Sequence, residues 1–149
     1  MLRTAYGVFT FLLLTATAPA AQLGYLWSFG ELHSASDLVV VAALGLTRDT
    51  GHGTTILGVP MVELNTEFRV ALVVKGSAPA GTIVLLHYRL DEERIRGGIA
   101  NGPHWLDWTG NRAATEYLLF LKRGAGGSFV PTSGQVFPGD SVFGLRKAG

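Results

Sequence analysis

The stretch M-V-E-L-N-T-E-F-R-V-A-L-V-V-K, residues 61–75, carries the longest two-residue alternation in the sequence. Its even positions are apolar except for one threonine, whereas four of the odd positions hold Glu63, Glu67, Arg69 and Lys75. Because successive side chains of a strand point to opposite faces, this pattern predicts a long strand with one buried and one solvated face. Burial of five large apolar side chains, at roughly 1.5–3 kcal/mol each, contributes on the order of 10 kcal/mol before chain entropy is subtracted.

Further strands are predicted on both sides of this one. Residues 37–46, D-L-V-V-V-A-A-L-G-L, form an apolar run that indicates a strand buried on both faces, with Gly45 at a bulge or bend. Residues 82–90 follow a Gly/Pro turn and complete a hairpin with the long strand, and residues 115–122 predict another buried strand. The glycine-rich residues 47–58 predict a loop.

The remaining signals complete an all-β pattern with little helix. Short extended pieces near the C-terminus bring the total to five to seven strands, a spacing typical of a small barrel or sandwich. Closure into a barrel would remove exposed strand edges. At most one or two short helices are expected, and Ser28 and Glu31 have the spacing of a capping box for one of them.

The N-terminus has the order of a secretory signal. Arg3 precedes an apolar run at residues 5–14 and a set of small residues at 15–21, so we expect cleavage after Ala20 or one residue later, and a single mature domain at residues 21–149. The apolar run is shorter than the ~20 residues that span a bilayer, so an uncleaved anchor is the less favoured alternative. The expected location is secreted or periplasmic, without membrane insertion after cleavage.

Composition narrows the functional classes. The 149 residues are 48% hydrophobic and 15% charged, which is enough to fill one core. Loss of residues 1–20 removes Arg3 and no acidic residue, so the mature chain is formally neutral and lacks the basic stripe of a nucleic-acid binder. There is no cysteine, which excludes a lipid-anchored lipoprotein and makes stability depend on the core rather than on disulfides.

Three strand segments carry a resemblance to a known family. They are residues 36–41 (S-D-L-V-V-V), residues 68–77 (F-R-V, then V-V-K-G-S) and residues 117–121 (Y-L-L-F-L) before a glycine turn. Their order across residues 36–135 resembles uncharacterised secreted bacterial proteins that are similar to the OB-fold barrels of netrin modules and tissue inhibitors of metalloproteinases. The resemblance implies a small OB-like antiparallel barrel, closed or partly open. Those inhibitors chelate zinc through an N-terminal cysteine, so none of their functional residues carries over to this chain.

The irregular segment at residues 97–111 is the predicted binding surface. A long loop rich in Gly, Asn and Pro inside a small domain is often functional, and this one presents Trp105 and Trp108. Indole rings offer a large apolar area with one hydrogen-bond donor, which suits contact with a sugar, a peptide or a partner protein. We therefore predict a non-catalytic binding or interaction module of the cell envelope or secretome, with Arg94, Arg96 and His104 as polar neighbours. The alternative for the two tryptophans is that they fold back and plug the barrel end.

Catalytic alternatives rest on the histidines. His87, His104 and Asp107 flank the irregular segment and suggest a small metal-dependent hydrolase, although their spacing matches no established metal motif. Neither a Gly-x-Ser-x-Gly elbow nor a complete phosphate loop is present in the sequence. An inhibitor of an extracellular protease is a third hypothesis, by analogy of fold alone. The favoured hypothesis, a binding module, assigns no catalytic residue, no metal and no cofactor.

Overall fold

Two long strands, β1 (Leu38–Ile56) and β2 (Val59–Lys75), form the central hairpin of the computed structural model, which describes residues 26–78, 81–95, 103–106, 108 and 116–145. One α-helix, α1 (Phe29–Ala35), precedes them within these ranges. The other strands are β3 (Thr82–Leu90), β4 (Glu116–Arg123), β5 (Phe129–Pro131) and β6 (Val142–Leu145), with short 3₁₀ turns at Ala125–Gly127 and Pro138–Ser141. No helix among the described residues combines the length and apolar character needed to cross a bilayer.

The strands close into a ring. Its order is β1-β2-β3-β5-β4, with β4 pairing back onto β1, while β6 extends the sheet beyond β4. Pairing is antiparallel except between β3 and β5, which share one parallel pair, Leu85 with Phe129. Because β5 has only three residues, the ring is joined over a short length there and is partly open. This confirms the predicted small, all-β, OB-like barrel with few helices.

The end of β1 differs from the sequence expectation. A loop was expected at residues 47–58, and this prediction is wrong because β1 continues to Ile56. The hairpin keeps pairing through register shifts at Leu44/Thr47 and Asp49/Gly53, where extra residues of β1 leave the ladder. Such bulges accommodate glycine and polar residues, which are disfavoured in a regular ladder, within one continuous strand. Gly45 lies in the first shift, as predicted.

The buried face of β2 ends earlier than its alternation predicts. Leu64, Thr66 and Phe68 are buried, whereas Leu72 and Val74 are 58% and 51% exposed. Beyond Arg69, β2 pairs only with β1 among the described residues, and its register shifts twice more. The alternation therefore predicts the strand correctly but overstates burial at its C-terminal end.

Inward-facing apolar side chains fill the barrel. The main cluster comprises Leu38, Val40, Ala42, Phe68, Ile83, Leu85, Tyr117, Leu119, Leu121 and Phe129. A smaller cluster of Leu32, Val39 and Phe120 packs α1 against the outside of the sheet. Each buried Val, Leu, Ile or Phe side chain contributes roughly 1.5–3 kcal/mol, so stability comes from packing and sheet closure.

Helix α1 begins with the capping box expected from the sequence. The Ser28 Oγ accepts a hydrogen bond from the Glu31 amide at 3.3 Å, and the Ser28 amide donates to Glu31 Oε2 at 2.8 Å. These reciprocal bonds satisfy two amides at the start of the helix that have no intrahelical partner. At its other end, Lys75 Nζ donates to the His33 carbonyl at 2.6 Å and so ties α1 to the end of β2.

Loss of this cap has a measurable cost. Ser28→Ala is expected to lower the free energy of unfolding by about 1 kcal/mol, because the Glu31 amide loses its acceptor. Urea denaturation measures the change. Ser34→Ala, within the same helix, is the matched control and is expected to stay within about 0.5 kcal/mol of the wild type. Equal effects of the two substitutions would contradict a capping role for Ser28.

Candidate functional site

A groove of about 540 Å³ lies at one end of the barrel, beyond the buried core side chains. The inward pair Leu64–His87 is buried, and the next pair towards the barrel end, Val62–Arg89, lines the groove. Its walls come from the bulged part of β1 and from the turn after β3. We call it the mouth groove, lined by Asp49, Gly51, His52, Gly53, Val62, Arg89, Asp91, Glu92, Glu93 and Arg94.

A smaller recess of about 160 Å³ adjoins the mouth groove. The two share Arg89 and Glu92, and the recess is also lined by Leu64, Leu90, Trp105 and Leu106. Trp105 is 45% exposed, which leaves much of a large aromatic ring in solvent beside a charged surface. The barrel mouth therefore offers both apolar area and polar groups to a bound molecule.

Carboxylates outnumber cations in the mouth groove. Arg89 Nη2 lies 3.5 Å from Asp49 Oδ2, and Arg94 Nε lies 3.3 Å from Asp91 Oδ2. Glu92 and Glu93 make no ion pair with any described residue, so the groove keeps an excess of negative charge. Apart from Asp91, the side chains of these pairs are exposed, so the pairs contribute little to stability and a ligand can reach their charges.

A polar cluster around Glu63 fixes the bulge of β1 over β2. Thr50 Oγ1 donates to Glu63 Oε1 at 2.9 Å, and the Tyr88 hydroxyl donates to Glu63 Oε2 at 3.3 Å. His52 Nδ1 lies 3.7 Å from the same carboxylate. Burial and then the neighbouring Glu63 charge raise the pKa of Tyr88, so its hydroxyl stays protonated and can donate. His52, which lines the mouth groove, thus lies beside this cluster.

The predicted binding residues fall into different places. Arg94 lines the mouth groove, and Trp105 lines the adjoining recess. His104 is exposed, donates its amide to the Val136 carbonyl at 2.8 Å and has its ring 5.2 Å from that of Phe137. Arg96 lies outside the described residues. The structure thus brings Arg94 and Trp105 to one surface, on either side of Glu92.

Trp108 points into the barrel rather than along the surface. Its ring centroid lies 5.4 Å from Phe68, 5.3 Å from Tyr117 and 5.7 Å from His87, each in an edge-on arrangement. Such aromatic contacts stabilise by about 0.5–1.5 kcal/mol beyond area burial. Trp108 has the position proposed by the plug alternative, whereas Trp105 has the exposure that a contact residue needs.

The residues of the metal hypothesis are in unlike environments. His87 is fully buried, its Nε2 lies 2.7 Å from Thr66 Oγ1, and burial lowers its pKa to about 4. His104 lies at the surface against Phe137, and Asp107 is outside the described residues. Within the described part of the chain, no group of three or more His, Cys, Asp or Glu side chains could hold a metal ion.

Several groove residues were not predicted from the sequence. Asp49 and His52 belong to the segment expected to be a loop, and Arg89 is the next-to-last residue of β3, a strand whose register was ambiguous. The usable signal was the polar run at residues 47–50, followed by His52 between two glycines, in a stretch that could still pair with residues 59–66. Comparisons with protein-family models, with curated proteins and with solved structures found no match in any of the three.

Proposed function

We propose that this chain is an exported, soluble, non-catalytic binding module of the cell envelope or secretome that holds a protein partner at its barrel mouth. The observation that carries the proposal is the half-exposed Trp105 beside the mouth groove. Aromatic anchors next to polar groups are the usual centre of protein contact surfaces. The expected contact residues are Trp105, Arg94 and His104. We add Arg96 and Trp108 from the sequence, and Trp108 is expected to support the loop that carries Trp105.

The size and chemistry of the mouth support recognition. The groove of about 540 Å³ is lined mainly by charged residues, so it offers polar contacts beside the apolar ring of Trp105. Covering the exposed part of one indole, on the order of 100 Å², contributes about 2 kcal/mol. The Arg89–Asp49 and Arg94–Asp91 pairs then supply directional polar contacts at the edge of that apolar area.

Two other functions stay as alternatives without support from the described residues. A small metal-dependent hydrolase would need His87, which is buried and bonded to Thr66, to reach a metal together with His104 and Asp107. An inhibitor of an extracellular protease rests on analogy of fold alone, because the zinc-chelating cysteine of the metalloproteinase inhibitors is absent from this sequence. The exposed ring of Trp105 supports contact with a protein, which the hydrolase does not require.

A capture experiment tests the contact surface. Mature protein is cross-linked to the native extracytoplasmic fraction, and the captured partner is identified and then bound in purified form. Trp105→Ala is expected to weaken binding by about thirtyfold, equivalent to about 2 kcal/mol for an aromatic anchor. Leu46→Ala removes another exposed apolar side chain, 62% exposed and outside the groove, and is expected to bind like the wild type. If Trp105→Ala binds the partner as tightly as the wild type does, the contact surface lies elsewhere on the protein.

A further inference from the structure

The barrel is open along one side, where β5 is too short to continue the ring. Within the described part of the chain, β5 pairs with β3 only at Leu85. At the next residue of β3 the partner is a side chain, because Gln135 Nε2 donates to the Leu86 carbonyl at 2.9 Å. On the far side, β4 pairs with β6 instead of β5 over residues 116–119. We call the gap between β3 beyond Leu85 and the β4–β6 pair the seam.

Four buried polar atoms belong to residues that flank the seam. His87 Nδ1, Trp108 Nε1, Tyr117 Oη and Gln135 Oε1 are all buried, and none has a hydrogen-bond partner among the described residues. Three of them belong to rings in contact, since the Trp108 centroid lies 5.7 Å from His87 and 5.3 Å from Tyr117. His87 is 0% and Tyr117 3% exposed, so bulk solvent does not reach them. Folded proteins rarely leave such atoms unsatisfied, and four around one gap need a common explanation.

The donor and acceptor properties of these four atoms indicate which kind of ligand could hydrogen-bond to them. The indole of Trp108 only donates, the Gln135 carbonyl only accepts, and the Tyr117 hydroxyl does both. His87 Nδ1 donates or accepts according to which nitrogen carries the proton. Burial lowers the pKa of His87 to about 4 and raises that of Tyr117, so both stay neutral near pH 7. A hydroxyl oxygen, which donates and accepts at once, matches this uncharged set.

We propose that the seam is an internal binding site for a small uncharged hydroxyl-bearing molecule, of which water is the smallest member and an alcohol or sugar hydroxyl a larger one. The site lies inside the barrel and is distinct from the mouth groove, so it goes beyond the proposed function. A bound hydroxyl would join Trp108 to the strands on either side of the gap. Buried water with about three such partners is a regular part of protein interiors.

Tyr117→Phe tests the site because it removes one hydroxyl and keeps the ring. The purified protein is studied by oxygen-17 relaxation dispersion of water and by urea unfolding. We expect a long-lived internal water in the wild type, its loss in Tyr117→Phe and a lower urea midpoint for that variant. If the hydroxyl has no partner, its removal instead relieves a buried polar group and leaves the midpoint unchanged or raised. That result, a signal retained in Tyr117→Phe, or no long-lived water in the wild type would overturn the proposal.

A matched variant and a competitor sharpen the result. Asn65 also carries a buried oxygen without a partner among the described residues, but it lines an outward recess with Arg48, Glu67 and Val84. Asn65→Ala is expected to keep the long-lived water, and its loss there would overturn the assignment to the seam. Glycerol is then added to the wild type. A falling water signal extends the site to organic hydroxyls, and an unchanged signal assigns it to water alone.

Discussion

Replacement of Gly76 by alanine is expected to lower the free energy of unfolding by about 3 kcal/mol or more. Gly76 follows β2 with a φ of 81°, and an added Cβ would overlap the carbonyl oxygen of Asp37. The left-handed conformation costs an L-residue about 1–2 kcal/mol, and forced overpacking typically costs another 1–3 kcal/mol. The clash is with backbone, so no side-chain rotation relieves it.

The position of Asp37 explains why the damage spreads. Its amide donates to the Leu121 carbonyl at 2.9 Å, and its Oδ2 accepts from the Arg123 amide at 2.9 Å. These bonds hold the start of β1 to the end of β4, where the ring closes. A displaced Asp37 therefore weakens barrel closure as well as the turn itself.

Gly81→Ala separates the clash from the backbone conformation. Gly81 has the same φ of 81°, but nothing lies within 4 Å of a Cβ built there. Alanine at Gly81 should thus cost only about 1–2 kcal/mol. Urea denaturation of both variants measures the difference. Similar losses at the two positions would show that contact with Asp37 is unimportant.

Acidification is expected to destabilise the barrel through His87. Its pKa is lowered from 6.5 to about 4 in the folded protein because burial disfavours the charged imidazole. As the pH falls below about 6.5, the unfolded chain takes up this proton first, so the equilibrium shifts towards unfolding until the pH reaches about 4. Each tenfold difference in proton affinity is worth about 1.4 kcal/mol, which makes the full effect about 3 kcal/mol.

His87→Gln isolates this contribution from that of the carboxylates. Glutamine can still hydrogen-bond to Thr66 but does not titrate. The free energy of unfolding is measured from pH 7.5 to 4, and the wild type should lose about 3 kcal/mol more than the variant over that interval. Parallel curves for the two proteins would mean that His87 titrates alike in the folded and unfolded states.

Much of the fold follows from local patterns in the sequence. β3 begins and ends at the predicted residues, β4 is displaced by one residue, and the capping box at Ser28 is present. Each of these elements depends on side-chain alternation or on contacts three residues apart. Such signals act within one segment, so they can be read without knowledge of the partner strands.

The features that sequence patterns missed depend on pairing. Residues 47–56 look like a loop because glycine and polar residues disfavour strands, and only the ladder with β2 keeps them extended. The inward packing of Trp108 likewise depends on Phe68 and Tyr117, which come from distant strands. Arg94 and Trp105 were predicted as neighbours, but Asp49 and His52 join them only through the hairpin.

The short turn at Leu57 and Gly58 makes the sequence separation of paired residues differ widely between the ladders of the barrel. It places two long strands side by side, so their pairing near the turn joins positions only a few residues apart, such as Ile56 and Val59. The ladder between β1 and β4 instead joins Leu38 to Leu121. Loop-closure entropy rises with that separation, and folding rates of small domains fall as the mean separation of contacts grows. The β1–β2 hairpin is thus expected to form early from local contacts, whereas the β1–β4 ladder that closes the ring requires long-range contacts.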